Sequence, residues 1–376
     1  MRAPWLLPIG LAAALAALAG VAHGNGRPPF TNGVTFQAGD DATIYLRTSF
    51  GLLISHDDGC TFRWVCEQNV GYGGTFDPKY VVGHDGTIFA TTFNGLRVSR
   101  DGGCSFTTAT AALPVGAPGR IADIWIDAID LGPTGEVWVA TAESGKPNDI
   151  FRSTDGGQTF ASRGMLSPTI WWKSVKVAAT DPLRVYAAGY QVAGPAPDGG
   201  SLPPTAHLLR TDDAGGAWTE SPLAGVGFGS TPLVYVSAVD PVHKDLVLMT
   251  SVGANPPSGD RIYRSTDGAM TWTEALATTD PVRDVVIRAD GSVLLATQLG
   301  GSFRSTDGGA TFAPLTAPPQ LACLGERGDG TLFGCGTNWA PDSLGLGRST
   351  DAASWLKVFR FVNLAGPLAC PAGTAE

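Results

Sequence analysis

Charge is scarce in this chain. Asp, Glu, Lys and Arg make up 16% of its 376 residues, and the 25 basic side chains are outnumbered by 34 acidic ones, for a net charge of −9. Nucleic-acid binders concentrate Lys and Arg on one face, so DNA and RNA are excluded as expected partners. Methionine (four) and histidine (five) are also few, whereas Gly reaches 50 and Pro 27. Gly and Pro are poor in helix interiors and useful in turns, which excludes a bundle of long helices and favours strands joined tightly. His-x-x-x-His and Cys-x-x-Cys spacings, a Gly-x-Ser-x-Gly elbow, a P-loop and a dinucleotide fingerprint are missing too. No metal and no cofactor is therefore expected.

What is present is apolar enough to build a large core: 43% of the residues are hydrophobic, which argues against disorder over most of the chain. At the N-terminus, Arg2 precedes an apolar run from Leu6 to Val21, broken only by Pro8, Gly10 and Gly20 and followed by Ala22-His23-Gly24. This pattern predicts a secretory signal over residues 1–24 and is short for a membrane span. The mature protein is expected to be secreted, periplasmic or extracellular, without a transmembrane segment, and monomeric. Export makes the six cysteines candidate disulfide partners, with 15 possible connectivities. Cys323 and Cys335 flank the turn Gly328-Asp329-Gly330 symmetrically, a placement that suits a cross-hairpin disulfide and equally two buried thiols. Cys60, Cys66, Cys104 and Cys370 stay unassigned.

An internal repeat decides the architecture. Ser55-His56-Asp57-Asp58-Gly59-Cys60-Thr61-Phe62 returns as Ser99 to Phe106, Ser153 to Phe160, Thr211 to Trp218, Ser265 to Trp272 and Ser305 to Phe312, with a worn seventh copy from Ser349 to Trp355. The first residues are 44, 54, 58, 54, 40 and 44 positions apart, the period of a four-stranded propeller blade with loop insertions. Upstream of each copy lies a second turn signal: Asp40-Asp41, Asp85-Gly86, Gly135, Asp181-Pro182, Pro241 to Lys244, Asp290-Gly291 and Asp329-Gly330. Both series predict seven blades of strands a to d over residues 25–361, leaving a tail, 362–376, to close the ring or cover its seam. Cys60 and Cys104 are equivalent in adjacent blades; sheets packed about 10 Å apart exceed the disulfide reach of about 7 Å, so these two should not pair.

The pattern Ser/Thr-x-Asp-x-Gly-x-Thr-Phe/Trp resembles the Asp-box, the bacterial neuraminidase repeat, over about residues 33 to 361. The resemblance implies an all-β, seven-bladed propeller of the superfamily that includes sialidases, xyloglucanases, sortilin-type receptors and photosystem II assembly factors. Physical chemistry supplies its own reason for the motif: an Asp between two strands accepts N–H bonds from the turn it opens, Gly provides a positive φ, and the hydroxyl adds a local bond. On that reading Asp57, Asp101, Asp155, Asp213, Asp267, Asp307 and Asp351 are structural clasps, since a catalytic group is not normally repeated once per unit.

The a–b and c–d turns share one face of such a disc and are short. The longer b–c and d–a connections lie opposite, and binding groups concentrate on variable loops over a rigid scaffold. That face and the channel mouth offer Tyr72, Asp77, Lys79, Trp171, Trp172, Lys173, Tyr190, Tyr235, Arg283 and Trp339 as binding candidates, and strand-a Asp123, Asp127 and Asp284 as carboxylates for a glycosidase. Rings beside carboxylates suit a glycan or peptide; the same carboxylates also suit bonds to neighbouring backbone, and Trp171 or Trp172 also suits blade packing. The resemblance to sialidases stops at the motif, because the early Phe/Tyr-Arg-Ile-Pro segment is missing, and Arg152, Arg210, Arg264, Arg304 and Arg348 each precede a box residue instead of converging. The expectation is a non-catalytic binding or assembly module for a protein, peptide or glycan; the alternative is a glycoside hydrolase with a non-sialidase pair of carboxylates.

Overall fold

The seven repeated hairpins each complete an antiparallel sheet of four strands. The fold is that of a computed structural model describing residues 28–371 apart from 75, 196–198, 298–300 and 316–318. The expected signal segment, 1–24, lies outside the described residues. Strands a of the seven blades are Thr31–Thr35, Tyr80–Val82, Ile126–Leu131, Ile170–Ala178, Val234–Val239, Val282–Ile287 and Leu321–Glu326. They touch one another in sequence around the axis, with strands b, c and d following outward in chain order. The protein is an all-β, seven-bladed β-propeller; helix is confined, among the described residues, to one turn at Glu67–Val70 and a 3-10 turn at Phe361–Asn363.

The core is divided accordingly. Seven hydrophobic clusters each join two neighbouring blades, and Phe62, Phe106, Phe160, Trp218, Trp272, Phe312 and Trp355, the aromatics that end the repeated turns, fall one into each. Burying one such ring contributes about 1.5–3 kcal/mol. The turns themselves share one bonding scheme. In blade 5, Ser265 Oγ donates to Asp267 Oδ1 at 2.8 Å while accepting Ala269 N–H at 2.9 Å, and Asp267 accepts Thr271 N–H at 2.9 Å. Equivalent bonds recur even in the worn copy, where Ser349 Oγ accepts Ala352 N–H at 2.9 Å and Asp351 accepts Ser354 N–H at 2.8 Å. Glycine is not required throughout: Asp58, Ala214, Ala269 and Ala352 all hold positive φ within these turns, at 53°, 56°, 69° and 64°.

The ring closes without exchanging a strand between its first and last blades. Phe36 meets Phe333 at 5.0 Å between ring centroids, and Asp58 of blade 1 accepts hydrogen bonds from Arg327 (2.6 Å) and Arg348 (2.8 Å) of blade 7. The tail then runs on as Leu364–Pro367, a fifth strand parallel to Phe62–Cys66. Leu368 packs against the cluster between blades 1 and 2, and a disulfide joins Cys370 to Cys104 on the second repeated turn. A second disulfide links Cys323 to Cys335, residues paired directly across strands a and b of blade 7; Cys60 and Cys66 are free. No helix among the described residues is long and apolar enough to cross a membrane.

Candidate binding site

Six of the seven innermost strands carry one extra residue against their neighbour. The registers skip Asn32, Asp127, Lys173, Ser237, Arg283 and Ala322, one each in blades 1, 3, 4, 5, 6 and 7. A bulge re-aims the extra side chain, and these strands begin at the face of the long d–a connections, so the bulges ring the mouth of the channel there. Blade 2 supplies Lys79 just before its short strand. Beneath, two chambers of about 500 and 450 Å³ share Lys79, Lys176, Ser237, Arg283 and Asp284.

The candidate carboxylates divide by what they hold. Asp284 Oδ1 accepts the N–H of Val285 (3.0 Å) and its Oδ2 that of Leu324 in the next blade (2.9 Å). Asp130 makes the same kind of link to Val177 N–H at 2.8 Å, and Ser174 Oγ to Val236 N–H at 3.0 Å. Burial raises the Asp284 and Asp130 carboxyls above the ordinary value against the pull of these bonds. Asp127 is paired with Lys173 and lies 3.6 Å from Lys79 Nζ, which also donates to the Asp127 carbonyl at 2.7 Å. Asp77 accepts Asn32 Nδ2 at 2.7 Å, and its carbonyl accepts Arg47 at 2.5 Å. Asp123 is not on strand a. It precedes Ile126 in the connecting loop, at φ 62°, where it is exposed beside Arg120 and its carbonyl accepts Lys146 Nζ at 2.5 Å.

Five rings form a continuous arc over blades 2, 3 and 4 on the long-loop face. Phe76 contacts Phe93 (4.7 Å), Phe93 contacts Trp125 (4.9 Å), Trp125 contacts Trp171 (6.1 Å), and Trp171 contacts Tyr190 (6.0 Å). Lys173 Nζ sits 4.4 Å from the Trp125 ring centroid, joining the arc to the channel. Tyr190 and, below it, Tyr235 have their phenols pushed up by burial and by the negative charge of Asp127. The Trp125 indole N–H is buried with no hydrogen-bond partner.

Two aromatic candidates belong to the packing instead. Trp172 is 1% exposed in the seam between blades 3 and 4, its indole donating to the Met165 carbonyl at 3.2 Å. Tyr72 packs against the cluster between blades 1 and 2. Trp339 stands 57% exposed on the b–c loop of blade 7. Phe76, Phe93, Trp125, Arg47 and Lys176 were not legible as site residues: each sits in a different turn or strand, and only ring closure unites them. Among the described residues no group of three or more His, Cys, Asp or Glu could hold a metal ion.

Comparison with known proteins reaches the fold and stops there. No family model matches the chain, and no curated protein sequence matches it. Solved structures do. The chain is similar to the GH74 xyloglucanase from Xanthomonas campestris (TM-score 0.55, 15% identity, 87% of this chain and 60% of that one). It is similar also to PorZ, a surface component of the type-IX secretion system of Porphyromonas gingivalis (0.54, 16%, 80% and 44%). YCF48 bound to D1 peptide aligns at 0.47 and 16% identity, over 77% of this chain and 79% of that one. This chain thus spans 60% or less of the length of the first two, and a shared fold does not by itself assign a function.

Proposed function

We propose that this protein is an exported Asp-box propeller that acts as a non-catalytic binding or assembly module, taking a protein, peptide or glycan at the channel mouth of its long-loop face. The observation that carries the reading is the aromatic arc, half-buried and continuous over three blades, opening onto a polar, bulge-lined channel. The Asp-box assignment is supported by the one bonding scheme shared by the seven repeated turns, all on the opposite face. Export is supported by the two disulfides, which persist in oxidising compartments.

Against hydrolysis stands the state of the three candidate acids. Glycoside cleavage takes two carboxyl groups flanking one bond, one to protonate and one to attack or activate water. Both Asp284 oxygens accept backbone N–H groups, Asp127 is held between two lysines, and Asp123 stands apart in an exposed loop. The test is a panel of chromogenic glycosides beside glycan and peptide arrays. Binding without turnover is expected; turnover abolished by Asp284→Asn would contradict the proposal.

A further inference from the structure

The charges that line the mouth and its two chambers answer one another. Lys79 and Lys173 stand at Asp127, Lys176 lies 3.9 Å from Asp130, Arg47 donates to the Asp77 carbonyl, and the charge of Arg283 acts on Asp260. With Asp284 stapled to the backbone, five carboxylates meet five cations and the sum is zero. A charged ligand group would have to break one of these pairs or stay unpaired, and either is costly in a partly buried site. What the mouth leaves open is of both kinds. Arg47 Nε and Trp125 Nε1 are donors without an acceptor, and Asn32 Oδ1 and Asp127 Oδ2 are acceptors without a hydrogen-bond donor. Ser237 and Thr250 add two hydroxyls, 2.6 Å apart, to the wall of the chamber of about 500 Å³. A hydroxyl both donates and accepts, so a ligand rich in hydroxyls and free of charge complements this set.

We infer that the mouth binds a neutral oligosaccharide, its pyranose rings laid along Phe93, Trp125, Trp171 and Tyr190 and its end unit turned toward Ser237 and Thr250. This rests on the binding reading proposed above and gives it a ligand class. The arc is made of rings alone, and aromatic faces take up the C–H faces of sugars. From Phe76 to Tyr190 its centroids advance by 4.7, 4.9, 6.1 and 6.0 Å, each step comparable with the length of one pyranose unit. A peptide anchors by side chains that fill enclosed pockets, whereas the arc is an open strip on which Phe93 stands 46% exposed. The chambers beneath are of the size that small ligands fill.

The experiment is calorimetric titration of the full mature protein with cellohexaose, mannohexaose, xylohexaose, hexagalacturonate and hexalysine, each at about 20 and about 300 mM NaCl. The expected result is binding of at least one neutral hexasaccharide, with the same affinity at both salt concentrations because no ion pair is exchanged. Trp171→Ala and Trp171→Leu should weaken it about tenfold or more, and Trp171→Phe, which keeps a flat ring, should hold it within about threefold. Val242→Glu, on the opposite face, should leave it unchanged. Binding kept by Trp171→Leu as well as by Trp171→Phe would mean an apolar contact without stacking and would overturn the inference. Tighter binding of hexagalacturonate or hexalysine than of every neutral probe, or no binding of any neutral probe, would overturn it as well. A peptide from the array that binds where no oligosaccharide does, and is lost in Trp171→Ala, would overturn the ligand class and leave the mouth reading standing. Binding lost in Val242→Glu and kept in Trp171→Ala would sink the mouth reading itself.

Discussion

The carboxylate of Asp284, on the innermost strand of blade 6, accepts the main-chain N–H of Leu324 on the innermost strand of blade 7 at 2.9 Å. With its second oxygen on Val285 N–H, this side chain acts as a staple between blades. Replacing it with Ala leaves two backbone donors short of an acceptor, at about 1–3 kcal/mol for a buried group. Asp284→Ala is therefore expected to lower the urea midpoint clearly, and Asp284→Asn, which keeps one acceptor oxygen, to lower it less. An unchanged midpoint in Asp284→Ala would remove the staple from the account.

Adjacent tryptophans should behave oppositely. Trp172 fills the seam between blades 3 and 4 at 1% exposure, so Trp172→Ala should cost about 3–5 kcal/mol in cavity and lost burial. Trp171→Ala removes a half-buried ring of the surface arc and should shift the melting temperature little while weakening ligand binding. Denaturation curves and titrations of the two variants separate the roles.

Acid should loosen the turns on the opposite face. The carboxyls of Asp155 and Asp267 are held down at about 2 although partial burial opposes this, because Thr159 and Thr271 donate to them through side chain and backbone. A folded value below the unfolded one of about 3.9 means that the charged form is favoured by folding. The contribution is fully present above about pH 4 and is lost as pH falls toward 2. The melting temperature should drop across that window, and the drop should be shallower in the double variant Asp155→Asn, Asp267→Asn. A slope identical to wild type would contradict the clasp.

The two disulfides should differ in weight. Cys104–Cys370 spans 266 positions and Cys323–Cys335 spans 12; loop-closure entropy grows with the enclosed length, giving about 5.6 and about 2.8 kcal/mol in the chain-entropy model. Cys370→Ser should therefore lower the melting temperature more than Cys323→Ser, and should release the fifth strand of blade 1 to faster amide exchange. Equal effects would mean that the tail is held by Leu364–Pro367 and Leu368 alone.

The fold was legible because its signal is local and repeated: Ser55-x-Asp57 to Phe62 is one turn written seven times, and its spacing is the blade. The mouth was only partly legible, for physical reasons that differ by residue. Trp171 and Trp172 are neighbours on a strand, so they face opposite ways, and nothing local says which faces the seam. The bulge after Trp172 turns Lys173 toward the channel, and a one-residue register slip leaves no mark in composition. Asp123 reads in sequence as part of strand a, which begins only at Ile126. Phe76, Phe93 and Trp125 lie in separate turns and become one surface only when the ring closes. Asp284 reads in sequence as a candidate acid, and its partner Leu324 is 40 residues away.

The most direct measurement is hydroxyl-radical footprinting, read by mass spectrometry, of the protein saturated with a ligand selected on the arrays. The account predicts protection of Phe93, Trp125 and Trp171 with Val242 and His243 on the opposite face unprotected. Protection of Val242 and His243 with the arc still fully reactive would contradict it.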